Sequence, residues 1–216
     1  VDIYMHIEEG EKYYLRNITW VGNTVYPSDY LAALLQMKKG DVYNQKLLGE
    51  RTSTDDDAIG NKYYNQGYVF YNLDPVEVNI VGDSIDLEMR IVEGPQATIN
   101  RVRINGNDRL YENVVRRELR TKPGDLFNKD ALERSYREIA QMGHFNPENI
   151  QPDVQPDAAN GTVDINWNLE SKPNDQIEFS AGWGQTGVIG KLSLKFTNFS
   201  MSNLFRKNDN YRGIIP

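Results

Sequence analysis

The stretch Ile85–Asn107, IDLEMRIVEGPQATINRVRINGN, decides the fold, because one structural unit finishes inside it and a second of the same kind begins. Ile85, Leu87, Met89 and Ile91 alternate with Asp86, Glu88 and Arg90. A period of two predicts a strand with one buried face. Glu93-Gly94-Pro95 stops it. Ile99, Val102 and Ile104 then lead into Asn105-Gly106-Asn107, residues that turn readily.

The same junction occurs earlier in the chain. Glu9-Gly10 before Tyr14–Asn23 (YLRNITWVGN) matches Glu93-Gly94 before Thr98–Asn107 (TINRVRINGN), with Gly10 to Gly94 and Gly22 to Gly106 both offset by 84 residues. Lys39-Gly40-Asp41-Val42-Tyr43-Asn44 aligns at that offset with Pro123-Gly124-Asp125-Leu126-Phe127-Asn128. A repeat this long is a whole small domain rather than one solenoid rung, so two tandem modules are expected, at 11–94 and 95–172. Residues 1–10, VDIYMHIEEG, repeat the strand at the end of the first module and are expected to be the last strand of a preceding one.

Modules of about this size bury only about 60% of the surface their unfolded chains expose, which makes each marginal alone. The net charge of −7 argues against nucleic acid, because phosphate binding needs a clustered basic footprint. Arg116-Arg117 is a short basic pair of the kind found on an exposed helix face. The absence of cysteine excludes disulfide scaffolds and Cys-ligated metals. No run approaches the roughly 18 apolar residues of a membrane helix.

In the first module Tyr14–Val21 reads as a strand and Pro27-Ser28-Asp29 as a helix entry, with Leu31, Leu34 and Leu35 on one face and Lys39-Gly40-Asp41 at its end. Asn44 is placed to cap a second helix carrying Leu47, Leu48, Ile59, Tyr63 and Tyr64 and closing near Gly67. Alternating Val76, Val78 and Ile80, a turn at Gly82-Asp83 and the strand from Ile85 complete the order strand, helix, helix, strand, strand. The second module repeats it. Its strand runs over Ile99–Ile104, and its helices over about Tyr111–Leu119 and from Asn128 to Gly143, with Leu132, Tyr136, Ile139 and Met142 at helical spacing. Strands at Ile150–Val154 and Val163–Leu169 follow. The first module has eight more residues between its cap and its closing glycine than the second, placed at Gly49–Asp57 (GERTSTDDD), which either extends the helix or loops out.

From Pro173 the pattern changes. Ile177, Phe179, Ala181 and Trp183 alternate with polar or small residues, as do Leu192, Leu194 and Phe196, and no helix separates them. A hairpin with one aromatic-rich face has the pattern of membrane-barrel strands, although any half-buried antiparallel hairpin gives it too. An isolated hairpin is marginal in water, so its apolar face is expected to be covered by another sheet edge or surface, most simply that of a second copy.

The two modules, with their Glu-Gly boundary, Gly-Asn turn and Lys/Pro-Gly-Asp loop, resemble POTRA (polypeptide-transport-associated) domains. Gln176–Phe205 resembles the start of the barrel in BamA-type outer-membrane assembly factors. The resemblance implies an α+β fold of tandem β-α-α-β-β modules, each a three-stranded sheet covered by two helices, followed at 173–216 by a truncated β-barrel hairpin. It implies the periplasmic part of an outer-membrane β-barrel assembly and insertion factor. Unfolded outer-membrane protein clients and accessory assembly lipoproteins would be its partners, with the membrane reached through the remaining barrel. A polypeptide-secretion transporter of the same architecture and a structural scaffold are the alternatives.

No reactive centre emerges from the motifs, and neither an enzyme nor a cofactor is expected. Gly182, Gly184 and Gly187 match a dinucleotide fingerprint, but an alternating stretch follows where a helix should carry the pyrophosphate, so a turn is expected. Asp55-Asp56-Asp57 lacks the alternating ligands of a calcium loop and reads as a solvated helix start. His6 and His144 lack paired metal-ligand spacing. The feature with a functional argument is an open sheet edge, where another chain can add a strand. By the resemblance, the second strand of each module is that edge: Val76, Glu77, Val78, Asn79 and Ile80 in one, Ile150 to Val154 in the other. Pro75, Pro152 and Pro156 are expected to flank both strands, and the alternative is that they merely blunt these edges. The first barrel strand would be Gln176, Ile177, Phe179, Ala181 and Trp183.

Overall fold

The computed structural model describes residues 11–172, 176–184 and 187–195. The strand expected at 1–10 lies outside them. The chain divides into two compact units. One is built on the chain up to Thr98 with Gly124–Lys129 and Pro156–Val163, the other on Ile99–Pro123, Asp130–Gln155 and the chain from Asp164.

In the first unit, strand β1 (Tyr14–Val21) is followed by helix α1 (Ser28–Leu35), helix α2 (Gln45–Gly49), a π-helical turn (Glu50–Thr54) and helix α3 (Ile59–Tyr64). Strands β2 (Asn72–Val81) and β3 (Ser84–Val92) complete it. The sheet order is β1-β3-β2, with β3 central, β1 parallel to it and β2 antiparallel. The alternation in β3 puts Ile85, Leu87, Met89 and Ile91 on the buried face, and Leu15, Leu31, Leu35, Leu48, Ile59 and Tyr63 pack with the last three of these in one core. Burying each such aliphatic side chain contributes about 1.5–3 kcal/mol.

The helix ends have local causes. Pro27 presets an extended entry to α1, and Leu31 and Leu35, one turn apart, anchor its inner face. The helix closes at Gln36, which takes a left-handed conformation (φ 57°) so that its N–H reaches the Ala32 carbonyl, earlier than the expected Lys39-Gly40-Asp41 stop. Asn44 caps α2 as expected, its side chain accepting from the Leu47 N–H at 3.1 Å. The eight extra residues neither simply lengthen this helix nor loop out. They continue it as the π-helical turn, where the Thr52 and Ser53 hydroxyls donate to the Leu48 and Gly49 carbonyls, then break at Asp55 and restart as α3.

The second sheet contains β4 (Thr98–Asn105), β5 (Gln151–Asp157) and β6 (Thr162–Asn168) in the order β4-β6-β5. Its helices are α4 (Glu112–Arg116), shorter than expected, and α5 (Lys129–Gln141). A 3-10 turn at Pro147–Asn149 precedes β5. Val115, Ile139, Val163, Ile165 and Trp167 are fully buried, while Tyr136 and Met142 are only half-buried.

The offset of 84 seen in the sequence is carried by the backbone. Tyr14 bridges Val42, and Thr98 bridges Leu126. The Tyr43 N–H donates to the Tyr13 carbonyl (2.7 Å) and that of Phe127 to the Ala97 carbonyl (3.0 Å). Asn23 donates to the Tyr26 carbonyl, Asn107 to that of Leu110. The turn glycines are required: Gly22 (φ 89°) and Gly106 (φ 76°) are left-handed, and a Cβ on either would collide with the carbonyl oxygen of Ile91 or Leu169.

Strands β7 (Gln176–Gly184) and β8 (Gly187–Lys195) form a two-stranded antiparallel sheet. Ile177 pairs with Leu194, Phe179 with Leu192 and Trp183 with Val188, which places one apolar face on the hairpin. Gly184 pairs with Gly187, so the three glycines of the motif lie on paired strands, and the turn expected between them falls on residues outside the described ones. Among the described residues β7 and β8 pair only with each other, and Trp183 is 88% exposed. The covering surface expected for this face is therefore not found among them.

Candidate functional site

Strand β2 lies at one side of the first sheet. The opposite side, at β1, is engaged where the strand begins: the Leu15 N–H donates to the Asp41 carbonyl (2.8 Å) and the Gly40 N–H to the Leu15 carbonyl (2.7 Å). Among the described residues no loop pairs with the outer side of β2. That leaves a row of backbone groups able to accept a strand.

The register within β2 differs from the expected alternation of Val76, Val78 and Ile80. Val76 pairs with Glu88 and Glu77 with Leu87, but Asn79 pairs with Asp86 and Ile80 with Ile85, so Val78 is the extra residue of a β-bulge. The bulge reverses which residues face the helices. Val76 therefore lies with Glu88 on the polar face, whereas Glu77 and Ile80 share the face of buried Leu87 and Ile85. Ile80 is nonetheless 54% exposed and Val78 47%. Tyr43 reaches toward Glu77; burial, reinforced by that carboxylate, pushes its hydroxyl up to about 12.

In the second sheet Val154 lies within β5 and is half-buried. Ile150, expected at the start of this edge, precedes the strand and is buried at its entry. Pro75, Pro152 and Pro156 lie inside β2 and β5 rather than flanking them. Gln176 opens β7, and Ile177, Phe179, Ala181 and Trp183 share its exposed apolar face.

Two charged groups that the sequence reading passed over hold the frame of the first unit. Glu93, taken only as a strand stop, accepts from the Thr24 N–H (2.8 Å), the Thr24 hydroxyl, the Val25 N–H (2.9 Å) and the Tyr63 hydroxyl (2.9 Å). Burial pushes its carboxyl up, but these donors outweigh it and hold the group below its ordinary value. Tyr63 is fully buried, stacks on Tyr71 at 4.2 Å and meets Tyr26 edge-on at 4.9 Å. Burial, then Glu93, raises its pKa well beyond the usual phenol range.

Asp55 and Asp57, read as part of a solvated helix start, are the counterions of Arg51, which is buried. Its guanidinium forks onto Asp57 (2.7 and 2.9 Å), reaches Asp55 (3.1 Å) and donates twice to the Leu34 carbonyl (2.9 and 2.6 Å). It thereby caps the last turn of α1. The carboxylate of Asp57 is held below its ordinary value, first by its hydrogen bond to Arg51. Both groups were detectable only as an EG doublet and an Arg-x-x-x-Asp spacing. His144 sits just past α5, and among the described residues no cluster of His, Asp and Glu is placed to hold a metal ion.

Helices packed with a three-stranded sheet whose last strand is central, and the recurrence of that strand order from β1-β3-β2 to β4-β6-β5, define a tandem array of small α+β modules. A family model for POTRA, described as surface antigen variable number repeat, matches residues 13–94 and again 97–172. The chain belongs to the POTRA family.

Among its relatives, a putative outer membrane protein assembly factor of Treponema pallidum is 25% identical over 205 residues, which cover 94% of this chain and 24% of that protein. Outer membrane protein assembly factor BamA of Neisseria meningitidis serogroup B is 28% identical over 211 residues, 94% of this chain and 25% of the relative. The chain thus spans about a quarter of the length of these relatives. In fold it is similar to POTRA3-5 of Haemophilus influenzae BamA, with a TM-score of 0.62 at 20% identity over 74% of this chain and 61% of that one. It is also similar to BamA from Haemophilus ducreyi lacking POTRA domains 1–3, with a TM-score of 0.61 at 20% identity, 82% of this chain and 33% of that one.

Proposed function

We propose that this chain is the periplasmic part of an outer-membrane β-barrel assembly and insertion factor, with modules at 11–94 and 95–172 and the start of the barrel from 173. The modules grip unfolded client strands, and accessory lipoprotein subunits, by adding a strand to an open sheet edge. The observation that carries this reading is the outer side of β2, which no other strand or loop pairs with among the described residues, in a chain whose relatives are named outer-membrane protein assembly factors. The hairpin supports it: β7 and β8 are nine residues each, with one apolar face, near the roughly 9–11 residues a tilted barrel strand needs.

Edge pairing suits such a task physically. Backbone hydrogen bonds are common to every client sequence, so the grip tolerates sequence variation. Each contributes a net of about 0.5–1.5 kcal/mol, and association entropy offsets much of the total. The hold is therefore brief, and a client can move on.

Depleting the full-length protein from cells and taking an inventory of outer-membrane proteins tests the function. A broad fall in β-barrel proteins is expected. Loss of a single exported polypeptide while barrel proteins persist would overturn the assembly reading in favour of a secretion transporter.

A further inference from the structure

The two candidate edges are not equivalent, and their prolines show why. A residue in a sheet edge points its N–H and C=O together, either inward to the ladder or outward to solvent, in alternation. Proline has no N–H, so it fits an edge strand where its nitrogen faces outward. In β5, Pro152 and Pro156 are four residues apart and therefore share an orientation with Val154. The outward row of β5 accordingly keeps its carbonyls but has one amide donor, that of Val154.

The register of β2 gives a different count. The two-residue turn Gly82-Asp83 is closed by the pair Val81–Ser84, which is hydrogen-bonded in such hairpins, so the next pair, Ile80–Ile85, turns the Ile80 amide outward. Counting on through the bulge at Val78 turns Glu77 outward, then Pro75, then Leu73. Pro75, which has no N–H to give the ladder, falls on the outward set, which supports the count. β2 therefore offers outward donors at Leu73, Glu77 and Ile80, and only Pro75 interrupts the row.

Side chains narrow the partner. Ile80, Val78 and Val81 are each about half exposed around this row, and Asp74, Glu77 and Asp83 lie on or beside it. We infer that the first unit alone captures strands, through the Leu73–Val81 edge. The occupant is an extended segment of alternating apolar residues carrying positive rather than negative charge, and the proline-blunted β5 takes none. This rests on the edge-pairing reading above and deepens it.

The probe is a nine-residue peptide with the sequence of Gly187–Lys195, GVIGKLSLK, which alternates and carries two lysines. Added to the full chain, it should slow hydrogen exchange at the Leu73, Glu77 and Ile80 amides and leave Val154 unchanged, with a stoichiometry of one. Glu77→Pro and Ile80→Pro should each weaken binding about five- to tenfold, the size of one net hydrogen bond. Val154→Pro should leave it unchanged, and unaltered circular dichroism would show that each variant folds. Pro152→Val with Pro156→Val should raise the stoichiometry to two. A peptide version N-methylated at alternate residues should bind neither edge.

The outcomes separate two failures. Equal protection at β5 and β2, or a weakening by Val154→Pro equal to that by Glu77→Pro, would overturn the asymmetry while leaving edge pairing in place. No protection at either edge, or undiminished binding by the N-methylated peptide, would overturn edge pairing itself.

Discussion

Replacing Glu93 by Ala should loosen the whole first unit, although the residue lies at its margin. Its carboxylate ties the turn after β1, through Thr24 and Val25, to α3, through Tyr63. The fully buried Tyr63 hydroxyl would lose its partner, at about 1–3 kcal/mol, and the charge-assisted bonds to the two amides would be exchanged for water at about 1 kcal/mol or more each. The sum is about 3–5 kcal/mol, against a total of about 5–15 for a typical domain. Native-state hydrogen exchange of the β3 amides reads the opening of this unit directly. Because the Tyr63 penalty arises from an orphaned hydroxyl, Tyr63→Phe should make the second substitution cheaper by about 1–3 kcal/mol in a double-mutant cycle. A Glu93→Ala cost below about 1 kcal/mol, or strict additivity with Tyr63→Phe, would refute the role assigned to this carboxylate.

The same group sets a pH dependence. Its folded pKa is depressed, so its contribution is present above the ordinary glutamate value of about 4.3 and is lost as pH falls through the folded value; the stability gap between wild type and Glu93→Gln should close over that acid range. Arg51→Lys should fail to rescue Arg51→Ala, since an ammonium cannot fork onto Asp57 while capping the Leu34 carbonyl, and urea midpoints of the two variants should fall together. Ile139→Ala, at a fully buried position of α5, should cost about 2–5 kcal/mol, and an unchanged melting temperature would move that helix to the surface. Gly22→Ala and Gly106→Ala should each be destabilising through both strain and collision, whereas Gly49→Ala, with open space around it, should not, as thermal melts would show.

The repeat made most of the fold legible. Leu87 and Met89 alternate, Leu31 and Leu35 sit a turn apart, and glycines recur at matching positions, so local periodicity and turn chemistry already specify the strand-helix-helix-strand-strand order. What stayed hidden depends on register and on long-range partners. The bulge at Val78 leaves the apolar alternation of the sequence intact while reversing which residues face the helices, and only the pairing with β3 reveals it. Arg51 carries a charge in a stretch of Thr, Ser and Asp, and nothing local shows that it folds under the Leu34 carbonyl. Glu93 looks like punctuation because three of its donors come from nearly 70 residues earlier. The strand edges were named by resemblance, and the difference between them lies in which way each proline nitrogen points.

Site-specific photo-crosslinking in cells tests the central claim most directly. A photoreactive residue is placed in the full-length protein at Ile80, in β2, and, in parallel, at the exposed Asn100 of β4. Adducts with newly made outer-membrane β-barrel proteins are expected at Ile80, absent at Asn100, and reduced when Glu77→Pro is combined with the Ile80 probe. An Ile80 probe that captures no barrel protein, or captures it no more than Asn100 does, would contradict the account.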